Sequence, residues 1–142
     1  MNKKITTKPS FIKIRKIKNN NGTLVPFYLK KIKSFKFKRL FIVTGKKNSL
    51  RGKHAHKKCT QIIYQIYGES EISIFNKNKY KYSYDLKSNQ NKMLKIPPLH
   101  WVTYRFKKQN NSIIVLCDTE YSESEYIRNF SHFIKKKFKQ AY

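Results

Sequence analysis

Between Gln61 and Lys87 the sequence leaves little room for anything but β-structure. Gln61 to Tyr67 is rich in β-branched and aromatic residues, Gly68 interrupts it, and Glu71 to Phe75 resumes it. Asn76-Lys77-Asn78-Lys79 supplies turn chemistry, after which Tyr80, Tyr82, Tyr84 and Leu86 alternate with Lys81, Ser83, Asp85 and Lys87. A period of two sends successive side chains to opposite faces of a strand. Strands recurring about every 8 to 12 residues with turn residues between them mark a sandwich or barrel.

The same text continues on both sides. Phe11, Ile12, Ile14 and Ile17 lead into a turn at Asn19-Asn20-Asn21-Gly22, whose residue types tolerate positive φ. Leu24 to Leu29 follows, with Pro26 indicating an edge or bulge. Phe35, Phe37, Arg39, Phe41 and Val43 then keep strand period. Further strands are expected at Met93 to Ile96, His100 to Phe106 and Ile113 to Cys117. Near the C-terminus the period changes. Ser122 and Glu125 match a capping box, and Ile127, Phe130, Ile134 and Phe138 mark one face of a helix. Asp118, Glu120, Glu123 and Glu125 then read as complements to that helix's dipole. With no repeat or linker in 142 residues, the expectation is a single all-β domain, a jelly-roll sandwich or barrel over residues 1–142, closed by a short C-terminal helix.

No apolar run exceeds the five residues Ile113 to Cys117, whereas a spanning helix needs about 20. The basic N-terminus lacks the apolar stretch of a signal peptide, so a cytoplasmic location without membrane insertion is expected. The net charge of +26 invites a nucleic-acid reading. Two features argue against it. The excess is 28 Lys against 5 Arg, and Arg is the usual bidentate partner of phosphate. The lysines are also spread along the chain beside Asn, Ile, Phe and Tyr, residues with AT-rich codons. Such charge would still assist capture of anionic substrates. Cys59 and Cys117 lack scaffold or metal-ligand spacing and read as small hydrophobes.

Chemistry concentrates in Arg51-Gly52-Lys53-His54-Ala55-His56. On a strand, His54 and His56 share a face and Ala55 points away. Structural, metal-binding and acid–base roles all remain open for such a pair. In the metal-binding cupin pattern, the HxH is followed by Glu and then Gly. Here Gln61 stands at the Glu place, Gly68 follows, and His100 is out of register in the second half. The spacing is kept and two ligands are lost, so neither a metal nor another cofactor is expected.

RGKHAHK, Gln61, Gly68, IPPLHW at 96–101 and SESEYIRNFSHF at 122–133, in that order, resemble the nucleotide-sugar 3,4-ketoisomerases. The resemblance runs from about Ile12 to Phe133, with Asn21-Gly22-Thr23-Leu24 and Lys38-Arg39 similar to the family's early segments. It implies a cupin-type jelly roll, without metal, that forms a homodimer, often with exchanged N-terminal strands. It implies a dTDP-linked 4-keto-6-deoxyhexose substrate whose carbonyl migrates from C4 to C3. The product serves 3-amino-3,6-dideoxy sugars (Fuc3NAc or Qui3NAc) of lipopolysaccharide, O-antigen or lipooligosaccharide. By resemblance, His56 is the principal base and His54 its partner. Arg51 and Arg39 are candidates for the pyrophosphate, with surface charge as the plainer alternative. Gln61 would hold the sugar, orient a histidine, or simply bond inside the barrel. Trp101 would wall the sugar pocket or belong to the core, and Tyr104 is a further pocket candidate. Three residues depart from the family text: Val102 where Arg or His follows the Trp, Phe41 in a Tyr segment, and Lys53 in place of a second glycine. The alternatives are a dTDP-sugar 3,5-epimerase and a basic β-barrel binding nucleic acid.

Overall fold

The computed structural model describes residues 8–136. Its elements are β1 (Ser10–Lys13), β2 (Ile17–Asn19), β3 (Gly22–Leu24), β4 (Arg39–Gly45), β5 (Leu50–His56), β6 (Gln61–Tyr67), β7 (Glu69–Phe75), β8 (Lys81–Lys87), β9 (Lys92–Ile96), β10 (Trp101–Phe106), β11 (Asn111–Cys117), β12 (Tyr126–Ile127) and α1 (Phe130–Lys135). Two antiparallel five-stranded sheets, in the orders β1-β9-β6-β11-β4 and β12-β5-β10-β7-β8, form the jelly roll, and β2-β3 is a separate hairpin. This is the all-β, cupin-type architecture with a short C-terminal helix that the resemblance implies.

Alternation explains the core. Ile72 and Ile74 of β7 point inward to meet Val43, Ile63, Leu94, Phe106, Ile113 and Val115. β6 is apolar on both faces because its other side is also covered. Ile62 and Tyr64 lie with Phe35, Met93 and Leu116 beneath the segment containing Val25, Phe27 and Leu29. A third cluster, Ala55, Trp101, Ile127 and Phe133, fixes α1 against the outer face of β5 and β10. Among the described residues no helix is long and apolar enough to cross a membrane.

Several expectations are corrected. The Ser122–Glu125 text does not start a helix. It forms a short 3-10 turn, Glu123–Glu125, and the chain then extends as β12, which pairs with β5. The reason is long-range. The Glu125 carboxylate accepts from the backbone N–H groups of Lys58 and Cys59, and the Ser122 hydroxyl pairs with that of Ser124. The helix begins later, capped by Asn129, whose side chain accepts from the His132 N–H. Ile127 therefore lies on a strand, and Phe138 is outside the described residues. The acids bind locally instead of serving a dipole: Asp118 accepts from the Thr60 N–H and Glu123 pairs with Arg128. Phe35 to Lys38 alternate but precede β4, and β3 ends at Leu24, before Pro26.

Candidate active site

β5 carries the imidazoles and is irregular where it matters. Val102 of β10 faces His54, but the next partner of Thr103 is Gly52, so Lys53 is an extra, bulged residue. Gly52 has φ +82° and Lys53 φ +59°. The bulge lets the Gly52 carbonyl turn back toward His54 Nδ1, 3.1 Å away. A carbonyl only accepts, so Nδ1 carries the proton and the His54 Nε2 lone pair is left open. The Leu99 N–H donates to the His56 carbonyl at 2.8 Å and fixes the end of the strand.

The two rings lie face to edge, their centroids 5.0 Å apart. His54 Nε2 and both ring nitrogens of His56 are buried without a hydrogen-bond partner among the described residues. Buried polar atoms left open are costly, about 1–3 kcal/mol each, and mark a place meant for a ligand or a proton. Burial pushes both imidazoles below their ordinary range. His56 falls to about 3, with His54, Arg39 and Arg128 adding repulsion after burial. Both are therefore neutral, able to accept a proton.

Tyr126, directly opposite His56 on β12, closes one side of the pair. Its ring is 4.4 Å from His56 and 5.0 Å from His54. Arg39 donates to its hydroxyl from both Nη atoms at 3.4 Å, and from Nη2 to Cys117 Sγ at 3.6 Å. Gln61 Nε2 donates to the same sulfur at 3.8 Å. Donation from Gln61 and Arg39 favours the thiolate of Cys117 against burial, whereas the Cys59 thiol, which donates to the Thr60 carbonyl, is pushed up. Both cysteines are buried in the main apolar core, as small hydrophobes, and Cys117 also accepts from Arg39 and Gln61.

The structure brings His54, His56, Arg39 and Gln61 into one connected network, with Tyr104 close by. Tyr104 is buried inside the barrel, and burial pushes its phenol up to about 12. Arg51 pairs with Tyr104 across β5–β10 and keeps its side chain exposed. Trp101 is the correction. It pairs with the other face of the sheet, packing 5.2 Å from Phe130 and 6.0 Å from Phe133 beneath α1, so it is a packing residue and does not wall the imidazole site. Val102 takes the inward place opposite His54. Sequence reasoning missed Tyr126 and Arg128. The Glu-Tyr-Ile-Arg text was the available signal for both. Among the described residues no three His, Cys, Asp or Glu side chains converge to hold a metal ion.

A family model described as FdtA: WxcM-like, C-terminal matches residues 7–138. The chain belongs to this family. No curated protein matches the sequence. Among solved structures the chain is similar to QdtA, a sugar 3,4-ketoisomerase from Thermoanaerobacterium thermosaccharolyticum in complex with TDP. The identity is 27% over 92% of this chain and 93% of that one, with a TM-score of 0.82. It is also similar to two Campylobacter jejuni proteins. WlaRA, a TDP-fucose-3,4-ketoisomerase, is 29% identical over 89% of this chain and 93% of its own, TM-score 0.77. WlaRB, a TDP-quinovose 3,4-ketoisomerase, is 26% identical over 90% and 98%, TM-score 0.79. These relatives of the family are isomerases acting on TDP-sugars.

Proposed function

We propose that the chain is a sugar-nucleotide 3,4-ketoisomerase that converts dTDP-4-keto-6-deoxyglucose to a dTDP-3-keto-6-deoxyhexose through an enediol. The observation that carries this reading is the pair of buried, neutral imidazoles 5.0 Å apart with open ring nitrogens.

The C4 ketone acidifies the C3–H bond. His56 takes that proton, the bond's electrons form C3=C4, and O4 becomes an enediolate oxygen. His54, with its open Nε2, handles the hydroxyl protons at O3 and O4. Collapse of O3 to a carbonyl with protonation at C4 completes the migration, and no redox partner is consumed. The low basicity of His56 in the free protein fits a substrate-gated base. Burial is the main cause, with repulsion from His54 and then from two guanidiniums added to it, and a nucleoside diphosphate would offset the guanidiniums' share on binding. Arg51 and Arg39 are assigned to the diphosphate and Gln61 and Tyr104 to the sugar side. The galacto and gluco epimers at C4 both occur among the neighbours, in WlaRA and WlaRB. The 3-keto product is the substrate that amination to a 3-amino-3,6-dideoxy sugar consumes.

We further propose a homodimer. Leu40 and Ile42 are exposed on one face of the edge strand β4, and Ile17 and Leu24 are exposed on the β2-β3 hairpin. Sedimentation at micromolar concentration tests this, with a monomer as the result that overturns it.

The decisive experiment is proton NMR of the protein with dTDP-4-keto-6-deoxyglucose in deuterium oxide. A 3-keto sugar with deuterium at C4 is expected, and its couplings give the epimer. Exchange at C3 and C5 without carbonyl migration would establish the 3,5-epimerase instead. An unchanged sugar with folded protein would remove the enzyme reading.

A further inference from the structure

One edge strand of each sheet meets at Tyr126. Arg39 begins β4, the outer strand of one sheet, and Tyr126 begins β12, the outer strand of the other. Their hydrogen bonds at 3.4 Å are therefore a side-chain tie between two edge strands that no backbone ladder joins. The Tyr126 ring is held from both directions: His56 and His54 pack on it at 4.4 and 5.0 Å, and the Arg128 guanidinium lies 4.4 Å from its centroid. Arg128 is in turn fixed by two bonds to Glu123, 2.6 and 3.0 Å long. Apolar Val102 of β10 stands opposite His54 across the ladder.

We propose that Tyr126 is the positioning residue of the imidazole pair: its ring holds His54 and His56 in register, and its hydroxyl anchors the Arg39 guanidinium beside them. The groups facing the pair come from each packed element. They are Arg39 from β4, Tyr126 from β12, Arg128 just after it, Glu123 from the preceding turn and apolar Val102 from β10, while Cys117 of β11 takes the other arm of Arg39. Arg39 and Arg128 repel a proton on either imidazole, and Glu123 weakly attracts one to His54. Untying Arg39 lets that cation relax toward water, so the imidazoles gain protons more easily and lose their fixed aim. Tyr126 acts through the histidines and Arg39 and needs no contact with substrate.

The test is a histidine titration by proton NMR on the full chain, in wild type, Tyr126→Phe and Tyr126→Leu. It is paired with kcat and KM against pH on dTDP-4-keto-6-deoxyglucose. Tyr126→Phe keeps the ring and loses the tie. The His56 midpoint should rise by up to about 1 unit, the size expected when a like charge moves away, and the His54 midpoint should move in the same direction by less. The acid limb of kcat/KM should move up with them, and kcat should fall about tenfold, as for a small loss of aim, while KM rises by a smaller factor because the freed Arg39 holds the diphosphate less firmly. Tyr126→Leu should shift both readouts further. Unchanged midpoints and an unchanged pH limb in folded Tyr126→Phe, with only stability altered, would make Tyr126 a packing residue and overturn the proposal. If Tyr126→Leu fails to fold, the Phe variant decides. The kinetic arm rests on the ketoisomerase reading, and the titration does not. Shifted midpoints in a protein whose wild type lacks turnover would sink that reading and leave the positioning role standing.

Discussion

β7 and β5 belong to the same sheet, separated only by β10, yet they are built differently. β7 pairs with β8 through seven consecutive residues, Glu69 with Lys87 to Phe75 with Lys81, without a register break. Its side chains alternate half-buried and buried at every position. β5 carries a bulge, two residues at positive φ, and two buried imidazoles with three open ring nitrogens. The first strand keeps its register and alternation throughout and serves stability, with a single buried hydroxyl, that of Ser70, unpartnered among the described residues. The second violates several local rules at once, at the place proposed for proton transfer, as expected where strain and unmet polar groups are retained for chemistry.

The contrast breaks most sharply under paired substitutions. His56→Asn should lower kcat by about 100- to 10,000-fold, the usual worth of a general base, while nucleotide binding and the unfolding midpoint stay near wild type. Full turnover in that variant would take His56 out of the mechanism. Ile72→Ala should do the reverse. Ile72 is fully buried, so the cavity should cost about 2–5 kcal/mol in urea unfolding, with kcat and KM of the folded protein unchanged. A kinetic effect from Ile72→Ala would mean that the regular hairpin also tunes the site.

The same contrast governs what the sequence makes legible. β6, β7 and β8 are readable because their alternation is complete and their turns are local: the Asn76 side chain accepts from the Asn78 and Tyr80 N–H groups. His54 and His56 are readable because an i, i+2 spacing on a strand needs no partner to fix the shared face. β12 is not readable. It has two residues, and its pairing partner in β5 lies some seventy positions earlier in the chain, so Ser122 and Glu125 look like a helix start. Arg39 and Gln61 are readable as residues, but their meeting at Cys117 depends on β4 and β6 both flanking β11. Trp101 was assignable to either face until the bulge set the register of β10 against β5.

Acid should act on the irregular region first. His54, His56 and His100 all take up protons less readily in the folded chain than their ordinary value near 6.5, chiefly because they are buried. Below that value the unfolded chain binds protons that the folded chain refuses, so stability falls with pH. The loss begins near pH 6.5 and continues toward about 3 for His56. Its limiting slope is about 1.4 kcal/mol per pH unit for each histidine. Urea unfolding at pH 7.5, 6.0 and 5.0 should show this decline, and His54→Asn with His56→Asn should flatten it. A decline of equal slope in the double variant would assign the acid sensitivity elsewhere.

The smallest expected effect tests the bulge itself. Lys53 is exposed and holds φ +59°, a conformation that costs an ordinary L-residue about 1–2 kcal/mol and glycine almost nothing. Lys53→Gly removes that strain but adds backbone entropy to the unfolded chain, about 0.5–1 kcal/mol. The balance should be a gain of up to about 1 kcal/mol, or a few degrees in Tm. Its neighbour makes the opposite control. Gly52 is at φ +82°, and a Cβ there would lie 2.8 Å from the Val102 carbonyl oxygen, so Gly52→Ala must move β10 or lose the bulge. Gly52→Ala should therefore destabilise the protein and lower kcat, because the Gly52 carbonyl sets the ring tautomer of His54. If Lys53→Gly instead lowers kcat/KM with Tm raised, the Lys53 ammonium contributes to capture of the anionic substrate, and the bulge presents that charge as well as shaping β5.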